Sequence, residues 1–286
     1  ARLGKREEIR PCIKCFNCLD EKNGRIFGGG ITSFTRDVVK RYACSVNPRI
    51  GIETDGIPPA TEKKVVSIIG GGPAGMQAAI TAAERGHEVR LYEKSDHLGG
   101  QIFFADFVSF KYPLMEFKNW LISRVGQLGI KVFLNTEATP ELIEASYPDV
   151  VIACTGSRPD LPPIPGIEGS NVMLAANAFV NRETVGKKVV VVGAGDTGCE
   201  CALHLAEIGR DVTLVEMDEF IARRTGYTQR IVLVEKIETN EHISCITRAC
   251  CKRADDRGVT VETPEGERFL EADTIVVALG TRALQD

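Results

Sequence analysis

Val65-Val-Ser-Ile-Ile-Gly-Gly-Gly-Pro-Ala-Gly75 and, further along, Val189-Val-Val-Val-Gly-Ala-Gly-Asp-Thr-Gly198 are the stretches on which the reading of the fold turns. Gly70, Gly72 and Gly75 of the first fall on Gly193, Gly195 and Gly198 of the second at an offset of 123 residues. The same offset carries Glu84 onto Glu207, Gly86 onto Gly209, Val89 onto Val212, Leu91 onto Leu214 and Glu93 onto Glu216. A second echo, at an offset of 124, sets Asp149-Val-Val-Ile-Ala-Cys-Thr-Gly156 against Asp273-Thr-Ile-Val-Val-Ala-Leu-Gly280. Chance does not hold register over so many positions, so two copies of one βαβ-based domain are expected.

Val65–Ile69 and Val189–Val192 are short continuous apolar runs, the pattern of buried parallel strands. Pro73–Arg85 and Asp196–Ile208 read as Ala- and Leu-rich helices stopped by Gly86 and Gly209. Glu88–Glu93 and Asp211–Glu216 read as return strands. The fold class is therefore α/β, two tandem Rossmann-like dinucleotide-binding domains preceded by a Cys-rich segment. The expected division is 1–60 for that segment and a linker, 61–178 for the first nucleotide domain (completed by 268–286) and 179–267 for the second. Pro159, Pro162, Pro163 and Pro165 mark the crossover.

The composition excludes several classes. The chain has 286 residues, 43% hydrophobic and 26% charged, with a net charge of −4. An acidic balance argues against nucleic acid, whose binding rests on neutralising phosphates. Residues 1–50 are the exception, with eleven Lys and Arg against five Asp and Glu. The one long uncharged stretch, Val65–Ala83, is broken by Gly70, Gly71, Gly72, Pro73 and Gly75, so it reads as strand–turn–helix and not as a membrane span. No signal peptide pattern opens the sequence, and a cytoplasmic location is expected.

Each glycine of Gly70-x-Gly72-x-x-Gly75 has a mechanical role: the tight turn, close approach of a pyrophosphate, and helix–strand packing. The helix that follows offers unpaired N–H groups and the positive end of its dipole. Glu93 stands where an acid accepts from an adenosine ribose, and Glu216 repeats it in the second copy. Two dinucleotide domains imply two dinucleotides, a flavin and a nicotinamide. A carboxylate at Glu216 accepts from a ribose 2′-OH and repels a 2′-phosphate, which favours NADH; Arg223 and Arg224 are the competing feature, read as a solvated basic turn.

Three of the ten cysteines, Cys12, Cys15 and Cys18, fall within seven residues, and that spacing suits metal ligation. A structural zinc is the rival of an iron–sulfur cluster here. Cys154 reads as a small buried hydrophobe, and Cys199, Cys201, Cys245, Cys250 and Cys251 receive no role. No paired cysteines stand beside the first glycine turn, which argues against disulfide reduction. His87, His97, His204 and His242 show no metal spacing.

Glu93-Lys-Ser-Asp-His-Leu-Gly-Gly-Gln-Ile102 resembles the segment after the FAD ribose acid in two-dinucleotide flavoprotein reductases. Arg10-Pro-Cys-Ile-Lys-Cys-Phe-Asn-Cys-Leu19 with Cys44-Ser-Val-Asn-Pro48 resembles the iron–sulfur segment of one branch of them. That branch holds 2,4-dienoyl-CoA reductase, enoate, bile-acid and isoflavone reductases of anaerobes, and trimethylamine dehydrogenase. The resemblance implies a [4Fe-4S] cluster on Cys12, Cys15, Cys18 and Cys44, and FAD held through Gly70, Gly72, Ala74, Gly75, Glu93 and Gln101. It adds Lys111 as a polar contact, Ala138 as an adenine-side backbone contact and Gly156 as a close backbone approach. NADH would lie on Gly193, Gly195, Gly198 and Glu216, with Gly280 facing the same cleft and Glu200 near the nicotinamide.

The implied activity is passage of electrons from NADH through FAD and the cluster to FMN in an N-terminal (β/α)8 barrel, which reduces an activated C=C bond of a small-molecule substrate. The barrel precedes these domains in the family and is expected as a missing partner. A homo-oligomer is compatible with the resemblance. No residue of this chain is expected to act as a catalytic acid or base. Two alternatives stay open: an amine dehydrogenase module with ADP in the first site, and a zinc-stapled nucleotide-binding scaffold. The 25 residues between Cys18 and Cys44 exceed the family's usual gap, so an insertion around Gly28-Gly-Gly30 is expected to loop out.

Overall fold

The computed structural model describes Gly4 and residues 8–18 and 44–284. The insertion expected around Gly28–Gly30 lies outside the described residues. The chain divides into two compact units, the first holding residues 8–18, 44–157 and 283–284, the second residues 158–282.

In the first unit β1 (Val65–Ile69) runs into α1 (Pro73–Glu84), and β2 (Glu88–Tyr92) returns beside it. Then follow α2 (Tyr112–Gln127), β3 (Lys131–Phe133), α3 (Pro140–Ala145) and β4 (Val150–Ala153). The four strands form one parallel sheet in the order β3-β2-β1-β4. Ile68, Met76, Ala79, Leu91 and Leu121 are fully buried between sheet and helices. Ile13, Cys44 and Val46 pack on the same core, so the cysteine-bearing segments are anchored to this unit. α1 stops where expected: Gly86 takes φ +96°, a conformation that costs a residue with a Cβ.

After β5 (Ser157–Pro159) the second unit contains β6 (Val172–Leu174), α4 (Ala175–Val180), β7 (Lys188–Val192), α5 (Asp196–Ala206) and β8 (Asp211–Val215). They are followed by α6 (Tyr227–Glu238), β9 (Ile243–Ile246), β10 (Cys250–Asp255), β11 (Gly258–Thr263), β12 (Gly266–Glu271), β13 (Thr274–Val277) and β14 (Thr281–Ala283). Its parallel sheet has the order β6-β13-β7-β8-β9, and β10-β11-β12 form an antiparallel sheet. β5 and β14 pair as a separate two-stranded ribbon.

The unit boundary differs from the division at 178/179. β6 pairs with β13, and β13 with β7, so residues 158–178 and 268–282 belong to the second unit. Hydrogen bonding across the sheet decides this; the prolines at 159–165 mark the true crossover.

The offset-124 echo also has a physical basis. Asp149 Oδ2 accepts the Val65 N–H at 2.7 Å, and Asp273 Oδ2 accepts the Lys188 N–H at 2.8 Å. Each aspartate therefore pins the start of its unit's central strand to the strand beside it.

Candidate functional site

In the first unit the turn 70–75 has no spare room at Gly70, Gly71 or Gly75; a Cβ at Gly71 would stand 2.5 Å from Leu98 Cδ2. A Cβ at Gly75 would stand 1.8 Å from the Gly70 carbonyl oxygen, and one at Gly70 would stand 2.3 Å from the Cys154 oxygen. Gly72 is different: its nearest neighbour would be Gly100 Cα at 3.8 Å. Gly75 and Gly70 are thus required by packing, whereas Gly72 opens a cradle. The first bond of α1 runs from Met76 N to Gly72 O, so earlier N–H groups of the helix have no helical acceptor and are available to an anion. Ala74, on that first turn, is exposed.

Glu93 sits one residue past β2 and is 7% exposed. Its Oε2 accepts the Gly71 N–H at 2.6 Å. Its Oε1 accepts the Ser95 N–H at 2.8 Å and the Ser95 hydroxyl at 2.6 Å. Burial pushes the carboxyl up, but the bonds from Ser95 and Gly71 outweigh it and hold Glu93 below the ordinary carboxylate range. The acid therefore braces the glycine turn from behind as an ionised group.

Gln101 donates to the Ser157 carbonyl at 2.8 Å and hydroxyl at 2.6 Å, which brings it beside Gly156. Gly156 has φ +80° with open space around it. Ala138 is half-buried after β3, in a segment tied to Glu93 by Thr136 N to Glu93 O at 2.9 Å. Lys111 ends a single 3-10 turn, Ser109–Lys111, ahead of α2. Behind the turn, Gly99 N donates to Gly71 O at 3.0 Å, and the stem of buried Lys118 packs on Gly99 while its ammonium pairs with Asp106.

The second unit repeats this geometry. A Cβ at Gly198 would lie 1.8 Å from Gly193 O, while Gly195 has nothing within 4 Å. Glu216 Oε2 accepts the Ala194 N–H at 2.8 Å, and Oε1 accepts the Asp218 N–H at 2.9 Å. Arg223 donates to Asp218 Oδ1 at 2.9 Å and remains exposed, as does Arg224 beside it. Glu200 is buried on α5, and Gly280, φ +99°, has open space around it. Ser95 and Asp218 escaped the sequence reading, although the offset of 123 that joins Glu93 to Glu216 joins them as well.

All ten cysteines are free thiols. Cys12 Sγ accepts the Lys14 N–H at 3.3 Å, and Cys15 Sγ lies 3.3 Å from the Ser45 hydroxyl, next in sequence to Cys44. The two cysteine-bearing stretches are therefore adjacent, with Lys14 and Phe16 both at φ +56°. Among the described residues no three His, Cys, Asp or Glu side chains converge as a metal site. Cys12, Cys15, Cys18 and Cys44 are soft thiol donors, a type that both zinc and an iron–sulfur cluster take. Arg10 joins the segment to the unit: it donates to Val46 O and to Gln77 Oε1, and stacks over Trp120 at 4.3 Å. Cys154 is half-buried, less enclosed than expected; Cys199 and Cys201 are buried, and desolvation pushes both thiols up to about 12. No helix among the described residues is long and apolar enough to cross a membrane.

A parallel sheet, a glycine turn opening a helix, and an acid past the next strand that braces the turn define a Rossmann-like α/β oxidoreductase architecture. The chain belongs to the pyridine nucleotide-disulphide oxidoreductase family, whose profile matches residues 64–286. FAD and NAD(H) are the cofactors of this flavoprotein class. The chain is 39% identical over 288 residues to an NADH oxidase of Thermoanaerobacter brockii, covering 98% of this chain and 42% of that protein. It is 33% identical to a cinnamate reductase of Clostridium sporogenes, covering 99% of this chain and 41% of the relative. A solved 2-naphthoyl-CoA reductase aligns with a TM-score of 0.79 at 34% identity, over 84% of this chain and 37% of that one. The chain thus spans about two fifths of the length of these relatives.

Proposed function

We propose that this chain is the electron-input portion of an iron–sulfur flavoprotein reductase, taking electrons from NADH and delivering them through FAD and a [4Fe-4S] cluster to FMN in a barrel that reduces an activated C=C bond. The observation that carries the reading is the pair of acid-braced glycine turns in one chain whose cysteine segment packs on the core of the first. The names of the relatives, NADH oxidase and cinnamate reductase, supply the direction and the substrate class.

When bound, the nicotinamide supplies a hydride, the flavin converts an electron pair into single electrons, and the cluster passes these on singly. The chain's own residues bind and orient. Gly72 and Gly195 leave room for a pyrophosphate at the start of α1 and α5, where helix N–H groups meet its charge. Glu93 and Glu216, held by Gly71 and Ala194, keep a carboxylate lone pair available to an adenosine ribose. Gln101, fixed on Ser157, keeps the 3-10 helix Gly100–Asp106 against the Gly156 end of the first site, where Lys111 and Ala138 would add a polar and a backbone contact. Gly280 borders the second site. Cys12, Cys15, Cys18 and Cys44 would hold the cluster, and no side chain here is required to move a proton.

The test is cofactor analysis of anaerobically purified protein. The reading expects FAD together with about four iron and four sulfide per chain. Stoichiometric zinc without iron would replace it by a zinc-stapled scaffold. Iron with ADP and no flavin would replace it by an amine dehydrogenase module.

A further inference from the structure

Lys118 stands in the buried stripe of α2, at the helical spacing of Leu121 and Val125, and is 4% exposed. Among the described residues it is the sole lysine or arginine that is buried. Its ammonium pairs with Asp106, whose side chain is 30% accessible, and lies 5.2 Å from the centre of the Phe103 ring. A well-packed apolar side chain at such a site often holds a fold as well or better, because an ion pair gives up its hydration. The stability of α2 therefore does not account for a lysine here.

Its two ends grip the two ends of one segment. The stem lies under Gly99: Lys118 Cδ stands 3.0 Å from where a Cβ on Gly99 would be. The ammonium holds Asp106, the last residue of the 3-10 helix Gly100–Asp106. Seven residues is long for a 3-10 helix, whose hydrogen bonds are poorly aligned, so the segment draws on support from outside. It lies against the first glycine turn. Gly99 N–H donates to Gly71 O at 3.0 Å, and Gly100 Cα stands 3.8 Å from where a Cβ on Gly72 would be. Gln101 fastens the same segment to Ser157, beside Gly156.

The second unit closes its turn in another way. Ala222 N–H donates to Ala194 O at 2.7 Å, a bond that the offset of 123 sets against that of Gly99 and Gly71. There the residue on the turn brings its own methyl, and Ala222 is fully buried. Gly99, at φ +128°, can carry no side chain without strain, and the Lys118 stem occupies that place from α2.

We infer that Lys118 is a positioning residue of the first site: with Asp106 it staples residues 99–106 against the first glycine turn, and so sets the affinity of that turn for its dinucleotide. Lys118 acts through the segment and not by contact with the ligand. This rests on the proposed reading of the first unit as the FAD site.

The experiment uses the intact protein freed of flavin, and measures Kd for FAD, thermal unfolding, and hydrogen exchange of the peptide covering 99–106. Lys118→Met/Asp106→Asn removes both charges while keeping an apolar stem on α2; Asp106→Glu keeps the pair. The double variant should unfold at a temperature no lower than the parent's, yet exchange faster over 99–106. It should bind FAD about tenfold more weakly, since the loosened residues must be ordered on binding. Asp106→Glu should bind within about threefold of the parent. A double variant whose Kd stays within about twofold, or weakens only together with a lowered unfolding temperature, overturns the inference. So does an Asp106→Glu variant that loses as much affinity as the double variant. If the unmodified protein takes up no FAD, the reading of the first site fails and the inference with it; FAD binding with an unmoved Kd overturns the inference alone.

Discussion

Arg10 donates to the Gln77 side chain at 2.6 Å, joining the cysteine-bearing segment to the helix that opens at the first glycine turn. The same guanidinium reaches Val46 O, two residues beyond Cys44, and covers the ring of Trp120. One side chain thus connects both cysteine stretches to the unit that carries Glu93.

Replacing Arg10 by Ala should loosen this attachment without disturbing the glycine turn. Trp120 is the only tryptophan, so its fluorescence reports the contact directly. The expected outcome is a shifted Trp120 emission and lower iron content, with flavin content unchanged. Unchanged emission would show that the cation does not sit on the ring.

Gly72 and Gly75 should respond differently to the same substitution. A Cβ at Gly75 overlaps the Gly70 carbonyl, so Gly75→Val should cost the first unit its stability. At Gly72 the space is open, so Gly72→Val should fold with a melting temperature close to that of the parent apoprotein yet lose FAD. Retention of FAD by Gly72→Val would remove that glycine from the cradle.

Asp106 compensates a charge that is otherwise buried, since the Lys118 side chain is 5% accessible. Asp106→Ala should destabilise the first unit by about 3 kcal/mol, because it leaves an unpaired buried ammonium. Adding Lys118→Met should recover most of that loss in denaturant unfolding. Failure of the second change to rescue would place the cost elsewhere than in the stranded charge.

The two units should lose stability in different acid windows. Glu93 is held below its ordinary 4.5, so the ionised form is favoured in the folded state. Its contribution is complete above pH 4.5 and disappears as pH falls through the lower folded value. His204 is fully buried and its Nε2–H donates to Phe179 O; burial holds it below 6.5. The folded state therefore favours the neutral ring, and stability drops as pH falls from about 6.5 toward the folded value. Thermal unfolding against pH should show Glu93→Gln flattening the lower window and His204→Asn the upper one.

Much of this was legible in the sequence. The offset of 123 placed both glycine turns and both acids, and the structure puts the acids one residue beyond β2 and β8, as the run lengths require. The unit boundary was not legible. Nothing local to Val172–Leu174 or Thr274–Val277 says that these strands pair with each other; long-range hydrogen bonding decides it. The Arg10 contacts and the Lys118–Asp106 pair were hidden for the same reason, because each joins residues distant in sequence. Ser95 and Asp218 were accessible through the repeat, but their role depends on backbone donors that no residue pattern displays.

On the proposed reading, NADH delivers electrons to a flavin that shares this chain with an iron–sulfur cluster. Anaerobic titration of the intact protein with NADH, followed by visible absorbance and low-temperature electron paramagnetic resonance, tests it most directly. NADH is expected to bleach the flavin and a reduced-cluster signal then to grow, both lost in Gly195→Val and only the cluster signal lost in Cys15→Ala. A flavin that stays oxidised under excess NADH, or full reduction with no cluster signal in the parent protein, would contradict it.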